Sequence, residues 1–134
     1  MSLQEIKTKN LTARLISENI VENVVHDNST LDVEDILEIK EINKKLTNGN
    51  KYVLLVDSGM ITTITKEGRE LSASPEFQQN TIAKALYVRS YGHRLIGNVY
   101  IKLNKPAIKT RIFSCRDQAL EWLNSEIRPS LLQA

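Results

Sequence analysis

The chain opens with a pattern typical of β structure. Leu11, Ala13 and Leu15 alternate with polar residues, and a largely β-branched run follows at residues 20–25. Because a short polar segment separates the two stretches, the pattern predicts an antiparallel hairpin. We expect the first ten and the last six residues to be loose ends, which leaves an ordered core of about residues 11–127.

The spacing of apolar residues then becomes helical, from Thr30 or Asp32 to Thr47. Acidic residues lie in the first turns of this segment and basic residues in its last, so its charges complement the dipole of a helix. The next apolar run, Tyr52–Val56, does not alternate with polar residues, which is typical of a strand buried on both faces of a sheet. This strand should lie at the centre of the sheet.

The rest of the sequence alternates helices with strands. Strands joined by crossover helices have parallel neighbours, and the opening hairpin supplies an antiparallel edge. We therefore predict one α/β domain over residues 1–134, with a mixed, mostly parallel sheet and about four helices. The predicted elements are a helix at Thr63–Ala73, a short helix starting at Ser74-Pro75, a strand at Ala85–Val88, a helix at Tyr91–Asn104 with Leu95, Ile96, Val99, Tyr100 and Leu103 on one side, a strand at Ile108–Ile112, and a closing helix carrying Ala119, Leu120, Trp122, Leu123 and Ile127.

Composition narrows the class of protein. The 134 residues are 41% hydrophobic and 25% charged, which is ordinary for a globular domain. No apolar run approaches the roughly 18 residues that a membrane span needs, and the polar N-terminus does not have the pattern of a secretory signal. A single cysteine, Cys115, fits a reducing compartment, so we expect a cytoplasmic protein without a membrane span.

Charge is distributed unevenly along the chain. Residues 77–116 contain eight lysines and arginines and no acidic residue, although the net charge of the whole chain is only +2. This acid-free segment could attract an anionic partner or pair with an acidic part of a second copy. The alternative is a basic surface that is simply solvated.

Several short strings in the sequence resemble one group of proteins. They are Lys51-Tyr-Val-Leu-Leu-Val-Asp57, Ala83-Lys-Ala-Leu-Tyr-Val88, Lys105-Pro106, Ile112-Phe113 and Ala119-Leu-Glu-Trp-Leu123. These strings are similar to an uncharacterised bacterial family with a fold like the STAS domains, which include the anti-sigma-factor antagonists of sporulation and the cytoplasmic tails of sulfate transporters. The resemblance covers roughly residues 11–127 and implies helices packed mainly on one face of the sheet and a role in protein binding instead of catalysis.

The resemblance also implies a candidate phosphorylation site. Antagonists of this type are switched at a Ser or Thr in a motif like Asp-Ser-Ser-Gly-Leu, and the equivalent place here reads Asp57-Ser58-Gly59-Met60. A phosphate on Ser58 would add nearly two negative charges and three acceptor oxygens. The alternative is that these residues only turn the chain after a strand.

Motifs for other chemistry are missing from the sequence. His26 and His93 do not have the spacing of metal ligands, and Ser58 and Cys115 lack the signature of a catalytic nucleophile. The sequence has no glycine-rich nucleotide motif either. We therefore expect no enzyme activity, cofactor or metal, and a buried or half-buried Cys115.

One cluster of polar residues stands out near a predicted strand end and helix start. It comprises Arg89, Ser90, Tyr91, His93 and Arg94. Strand ends followed by helix N-termini are where open α/β sheets bind ligands, so this cluster is a candidate anion or partner site. The alternative is that these residues serve only as helix entry and surface charge.

Three functions from different classes remain open. The favoured one is a STAS-like regulatory module that binds another protein and self-associates as a homodimer. The second is binding of an anionic ligand, which is nucleic acid, lipid or a small anion, through the basic 84–116 segment. Nucleic acid is the less expected of these, because the aromatic residues form no recognised RNA-binding motif. The third is a small enzyme acting on an anionic substrate, which requires a concave pocket with perturbed ionisable groups.

Overall fold

The predicted hairpin is confirmed and is extended by one more strand. The computed structural model of the protein describes residues 4–60 and 62–132, with side chains described to residue 128. Strands β2 (Leu11–Ser17) and β3 (Ile20–Val25) pair antiparallel. Before them β1 (Glu5–Lys7) pairs with β2, so the expectation of a loose N-terminal segment is wrong for residues 5–7, and its first three residues lie outside the described ones. The pairing places Glu5 opposite Arg14, and their side chains form an ion pair across the two strands.

The helix predicted from Thr30 or Asp32 to Thr47 is confirmed as α1 (Val33–Leu46). The Asp32 carboxylate accepts from the Val33 backbone N–H, and the Asp32 N–H donates to the side chain of Asp35. These bonds satisfy backbone donors that the first turn of a helix leaves free.

The sheet is mixed and mostly parallel, as predicted. Four strands run parallel in the order β3, β5 (Tyr52–Asp57), β7 (Thr81–Tyr87) and β8 (Lys109–Phe113), and β1 and β2 complete the sheet at one edge. The unbroken apolar run forms β5, a central strand. A separate parallel pair is formed by β4 (Thr30–Leu31) and β6 (Thr63–Ile64).

Two predicted helices in the middle of the chain differ from the structure. Helix α2 (Lys66–Ala73) starts later than predicted, because Thr63 and Ile64 pair with β4 and Thr65 caps the helix. The short helix predicted at Ser74-Pro75 is wrong: the chain makes turns up to Asn80. Asn80 has a left-handed φ of 70°, which ends the turn and lets β7 begin.

Helix α3 (Tyr91–Val99) continues into a π-helical turn (Tyr100–Asn104), and the chain leaves it at Lys105 with a left-handed φ of 46°. The apolar side that the sequence groups here is only partly buried. Gly97 and Tyr100 face inward, whereas Leu95, Ile96, Val99 and Leu103 remain between 47% and 71% exposed.

The closing helix α4 (Arg116–Leu132) extends past the predicted core, into the last six residues expected to be loose. It packs on one face of the sheet, and α1, α2 and α3 lie on the other, so the helices are mainly on one face as expected. Cys115, which precedes α4, is exposed, and the expectation that it is buried or half-buried is wrong. A cap position faces solvent because the inward contacts of the helix start at Ala119.

Candidate functional site

The central strands β5 and β7 send alternate side chains to opposite faces of the sheet. Val53, Leu55 and Ala85 point to α4 and are fully buried in an apolar cluster with Leu123. The residues between them face α1, α2 and α3. Lys84 is one of these, so a lysine takes a position where a parallel sheet normally carries an apolar side chain.

A cavity of about 190 Å³ lies between this second face and the three helices. Thr62 lines it from the loop after β5, where the Thr62 hydroxyl lies 3.5 Å from the Nε2 atom of His93 on α3. Thr63 and Ile96 also line the cavity and are exposed, so it reaches solvent where α3 approaches β6. Most of the wall is apolar, including Val25, Leu31, Ile36, Leu54, Val56 and Leu86.

Lys84 lines this cavity and is only 6% exposed. Its Nζ atom donates to the Tyr100 hydroxyl at 2.9 Å, and that hydroxyl also accepts from Ser72 at 3.1 Å. Among the described residues Lys84 forms no ion pair. An ammonium group has three donors, so this buried charge has neither a counterion nor a full set of hydrogen bonds.

Lys40 on α1 lines the same cavity. Its Nζ atom donates to the Tyr52 hydroxyl, the Thr81 hydroxyl and the Gln79 carbonyl at 3.2, 3.1 and 2.7 Å. Burial, which is the larger cause, and the charge of Lys84 together lower the pKa of Lys40 to about 8, whereas Glu41 acts against them. Arg69 also lines the cavity, and the two lysines face the same apolar space and repel each other.

At the carboxyl end of β5, Asp57 is 4% exposed and its Oδ2 atom lies 2.6 Å from the Arg89 guanidinium. This pair raises the pKa of Arg89 through the hydrogen bond and the charge of Asp57. The Asp57 Oδ1 atom is buried without a hydrogen-bond partner among the described residues. The pair links the carboxyl ends of β5 and β7, and the charge of Arg89 is compensated by Asp57 of the same chain.

Ser58 follows this pair, lines the cavity and is partly buried. Its hydroxyl donates to the Tyr87 carbonyl at 3.0 Å. Helix α2 begins only at Lys66, so Ser58 does not lie at a helix N-terminus. A phosphate here would break the bond to Tyr87 and would gain nothing from a helix dipole. Phosphorylation of Ser58 stays a prediction.

The other predicted cluster divides between two places. Arg89, Ser90, Tyr91 and Arg94 surround a second pocket of about 190 Å³ together with Val88 and Ser114. His93 lines the first cavity instead, and its Nδ1 atom lies 3.1 Å from the Ser90 hydroxyl that caps α3. Arg94 is an exposed basic residue at the second pocket. Anion or partner binding by these five residues stays a prediction.

The acid-free segment is not one solvated basic surface. Lys84 is buried, and Arg89, Lys109 and Arg116 pair with acids from elsewhere in the chain. Arg111 lies over the aromatic rings of Phe113 and Trp122. The remaining basic residues, Arg94, Lys102 and Lys105, are exposed on or beside α3.

Sequence reasoning missed the cavity and both of its lysines. The available signal was Lys84 itself, which stands alone among apolar residues in the segment Ile82–Val88. Among the described residues, no group of three His, Cys, Asp or Glu side chains could hold a metal ion. In the same part of the chain, every helix is too short or too polar to cross a membrane.

Comparison with solved structures assigns the fold. The chain superimposes on the crystal structure of an uncharacterised protein of the DUF3478 family, with a SpoIIAA-like fold, from Shewanella loihica PV-4. The TM-score is 0.54 and the sequence identity 13%, over 91% of this chain and 92% of the other. The protein is therefore an α/β domain of the SpoIIAA-like, or STAS-like, class, which confirms the resemblance read from the sequence.

Residues 14–127 match the family described as a domain of unknown function, DUF7793, and the chain belongs to that family. A search of curated protein sequences found no significant match.

Proposed function

We propose that the protein is a non-catalytic regulatory module that binds another protein through the outer surface of α3 and its π-helical turn. The SpoIIAA-like fold supports a regulatory or interaction role at the level of the class. The observation that carries the proposal is the apolar stripe on this surface, made by Tyr91, Leu95, Val99 and Leu103.

The stripe follows the i, i+4 spacing that aligns side chains along one side of a helix. Tyr91 is 76% exposed, Leu95 and Val99 are each 48% exposed, and Leu103 is 71% exposed. Single exposed apolar residues are common on proteins, but an aligned set of four marks a surface that a partner covers. The rest of the domain does not bury this stripe because Gly97 and Tyr100 make the inward contacts of the helix.

The charges beside the stripe define the chemistry of the partner. Arg94 and Lys102 flank it, Lys105 follows, and all three are exposed. No acidic residue occurs between positions 77 and 116. The matching surface is an apolar groove or patch on a protein with acidic residues at its rim, because complementary charge at a rim steers association.

The test compares two pairs of variants. Leu95→Ser with Val99→Ser disrupts the stripe, and Leu37→Ser with Met60→Ser is the control, since Leu37 and Met60 are 51% and 48% exposed elsewhere on the surface. Proteins retained from the host lysate by the tagged wild type and the control, but not by the stripe pair, are identified and purified.

We expect the purified partner to bind the control double variant as tightly as it binds the wild type. It should bind the double variant in the stripe at least about tenfold more weakly, which is a change of about 1.4 kcal/mol in the free energy of binding. Binding should also weaken with added salt. Flotation with phosphatidylglycerol vesicles that depends on the stripe would overturn the proposal in favour of a membrane surface. Loss of self-association alone, measured by sedimentation, would overturn it in favour of a second copy of the chain.

Two finer predictions remain attached to this proposal. Mass spectrometry of the protein isolated from its host tests phosphate on Ser58. Sedimentation of the purified wild type tests the expected homodimer.

A further inference from the structure

We infer that the cavity beneath α1, α2 and α3 is a binding site for a small monocarboxylate with an aromatic or branched hydrocarbon body, whose carboxylate pairs with Lys84 and Lys40. This site is separate from the outer surface of α3 and does not rest on the proposed protein partner.

The wall of the cavity determines the body of the ligand. Its lining is predominantly aliphatic and aromatic, with Leu54 and Leu86 from the sheet and Ile36 and Ile39 from α1. An apolar cavity of about 150 Å³ is known to hold a ligand of the size of benzene. The volume of about 190 Å³ therefore suits a single ring or a short branched chain with one polar group.

The lysines determine the charge of the ligand. Lys84 is 6% exposed, and its ammonium group has one hydrogen bond, to the Tyr100 hydroxyl, and lies 5.0 Å from the centroid of the same ring. A buried charge without an ionic partner is costly, and proteins normally pair it or neutralise it. No acidic residue lines the cavity. An anion from outside is thus the missing counterion, and it completes the donors that Lys84 leaves unused.

Lys40 strengthens the case for an anion and against a cation. It lines the same cavity, and its pKa is lowered partly because Lys84 is close. A bound carboxylate would relieve the repulsion between the two ammonium groups. Lys40 already uses its three donors on Tyr52, Gln79 and Thr81, so it attracts the carboxylate through its charge, whereas Lys84 supplies the free donors.

Three of the neutral polar groups that line the cavity already have hydrogen-bond partners within the chain. Asn23 and Asn43 line it but satisfy each other through two reciprocal hydrogen bonds of 2.9 Å. The Tyr100 hydroxyl is occupied by Ser72 and Lys84. A carboxylate is therefore held by the lysines, and the apolar wall selects the rest of the molecule.

The experiment is an amide NMR titration of the wild-type chain with benzoate and with benzyl alcohol, which have similar size but differ in charge. Benzoate should cause saturable shifts in residues of β5, β7 and α3, with a Kd of about 1 mM or tighter. Benzyl alcohol should bind at least about tenfold more weakly, because it offers no counterion.

Lys84→Met tests the role of the charge while keeping the length of the side chain. The Tyr100 hydroxyl keeps its bond from Ser72 in this variant, so no buried group loses its last partner. The preference for benzoate should disappear, whereas benzyl alcohol should bind as before. Lys51→Met, at an exposed lysine just before β5, is the matched control and should keep the preference.

Three results would overturn the inference: no saturable shifts at the cavity, equal binding of the two compounds by the wild type, or a preference for benzoate that survives in Lys84→Met. If Lys84→Met does not fold, the wild-type comparison still decides, together with Lys40→Met, which should weaken benzoate binding more than benzyl alcohol binding.

Discussion

Glu22 and Lys84 are both buried in the sheet, but they differ in what compensates their charge. Glu22 lies on the α4 face, is 2% exposed, and pairs with Arg14 and Arg116 at 3.2 Å each. Lys84 lies on the face with the cavity and has no ionic partner among the described residues.

The two faces of the sheet therefore differ in their packing and in how buried charge is compensated. On the α4 face, apolar side chains fill the space and the buried acid is neutralised within the chain. On the other face, space and positive charge remain together in one cavity. A close-packed interior rarely keeps such space, and an unpaired charge in it lowers stability. Both faces contribute a buried apolar cluster to the fold, and the cavity face differs in that it also keeps space and a charge without an ionic partner.

The largest expected effect is on the α4 face. Replacing both partners of Glu22, with Arg14→Met and Arg116→Met, leaves a buried carboxylate without a cation and should lower the free energy of unfolding by about 3 kcal/mol. Adding Glu22→Met should restore most of that loss, because the charge is removed together with its partners. Urea unfolding followed by circular dichroism measures all three proteins. A triple variant no more stable than the double would show that the arginines act through packing.

The opposite result is expected on the cavity face. Lys84→Met removes a buried charge that has no ionic partner, so the free energy of unfolding should rise by about 1 kcal/mol in the absence of ligand. The same urea experiment in ligand-free buffer measures it. A loss of stability would mean that the hydrogen bond from Lys84 to Tyr100 stabilises the folded chain. The conclusion that Lys84, unlike Glu22, is an uncompensated charge would then be wrong.

The smallest expected effect concerns Lys40. Its pKa is lowered on folding, from 10.5 to about 8, mainly by burial, with Lys84 acting in the same direction and Glu41 against it. The folded chain then loses this proton before the unfolded chain does, so the free energy of unfolding should rise as pH increases through 8 and level off near 10.5. The gain should be less than about 1 kcal/mol, because solvent screens the half-exposed ammonium.

Comparison with Lys40→Met isolates this effect. The variant should lack the rise between about pH 7 and about pH 9.5, whereas other titrating groups contribute equally to both proteins. The range stops there because burial raises the pKa of Tyr52, which acts on stability at higher pH. Parallel pH profiles of the two proteins would show that Lys40 is not desolvated by the cavity.

The sequence by itself determined most of the secondary structure and the class of fold. Alternation at Leu11, Ala13 and Leu15 indicated the hairpin, and charge complementarity at the ends of α1 indicated the helix, because both signals arise within a few residues along the chain. The unbroken apolar run at Tyr52–Val56 indicated a central parallel strand for the same local reason.

Only the tertiary structure decided where the unusual side chains lie. The local pattern groups Leu95 and Val99 on one side of a helix, but it does not show whether that side is covered. In the structure α3 packs against Ile112 and Leu86 through Gly97, so the side that carries Leu95 and Val99 stays exposed. Likewise, the register of β7 turns Lys84 toward the three helices, and β6 exists because β4, which is distant along the chain, offers it a partner. Burial and pairing between distant segments are properties of the packed chain, so no window of sequence contains them.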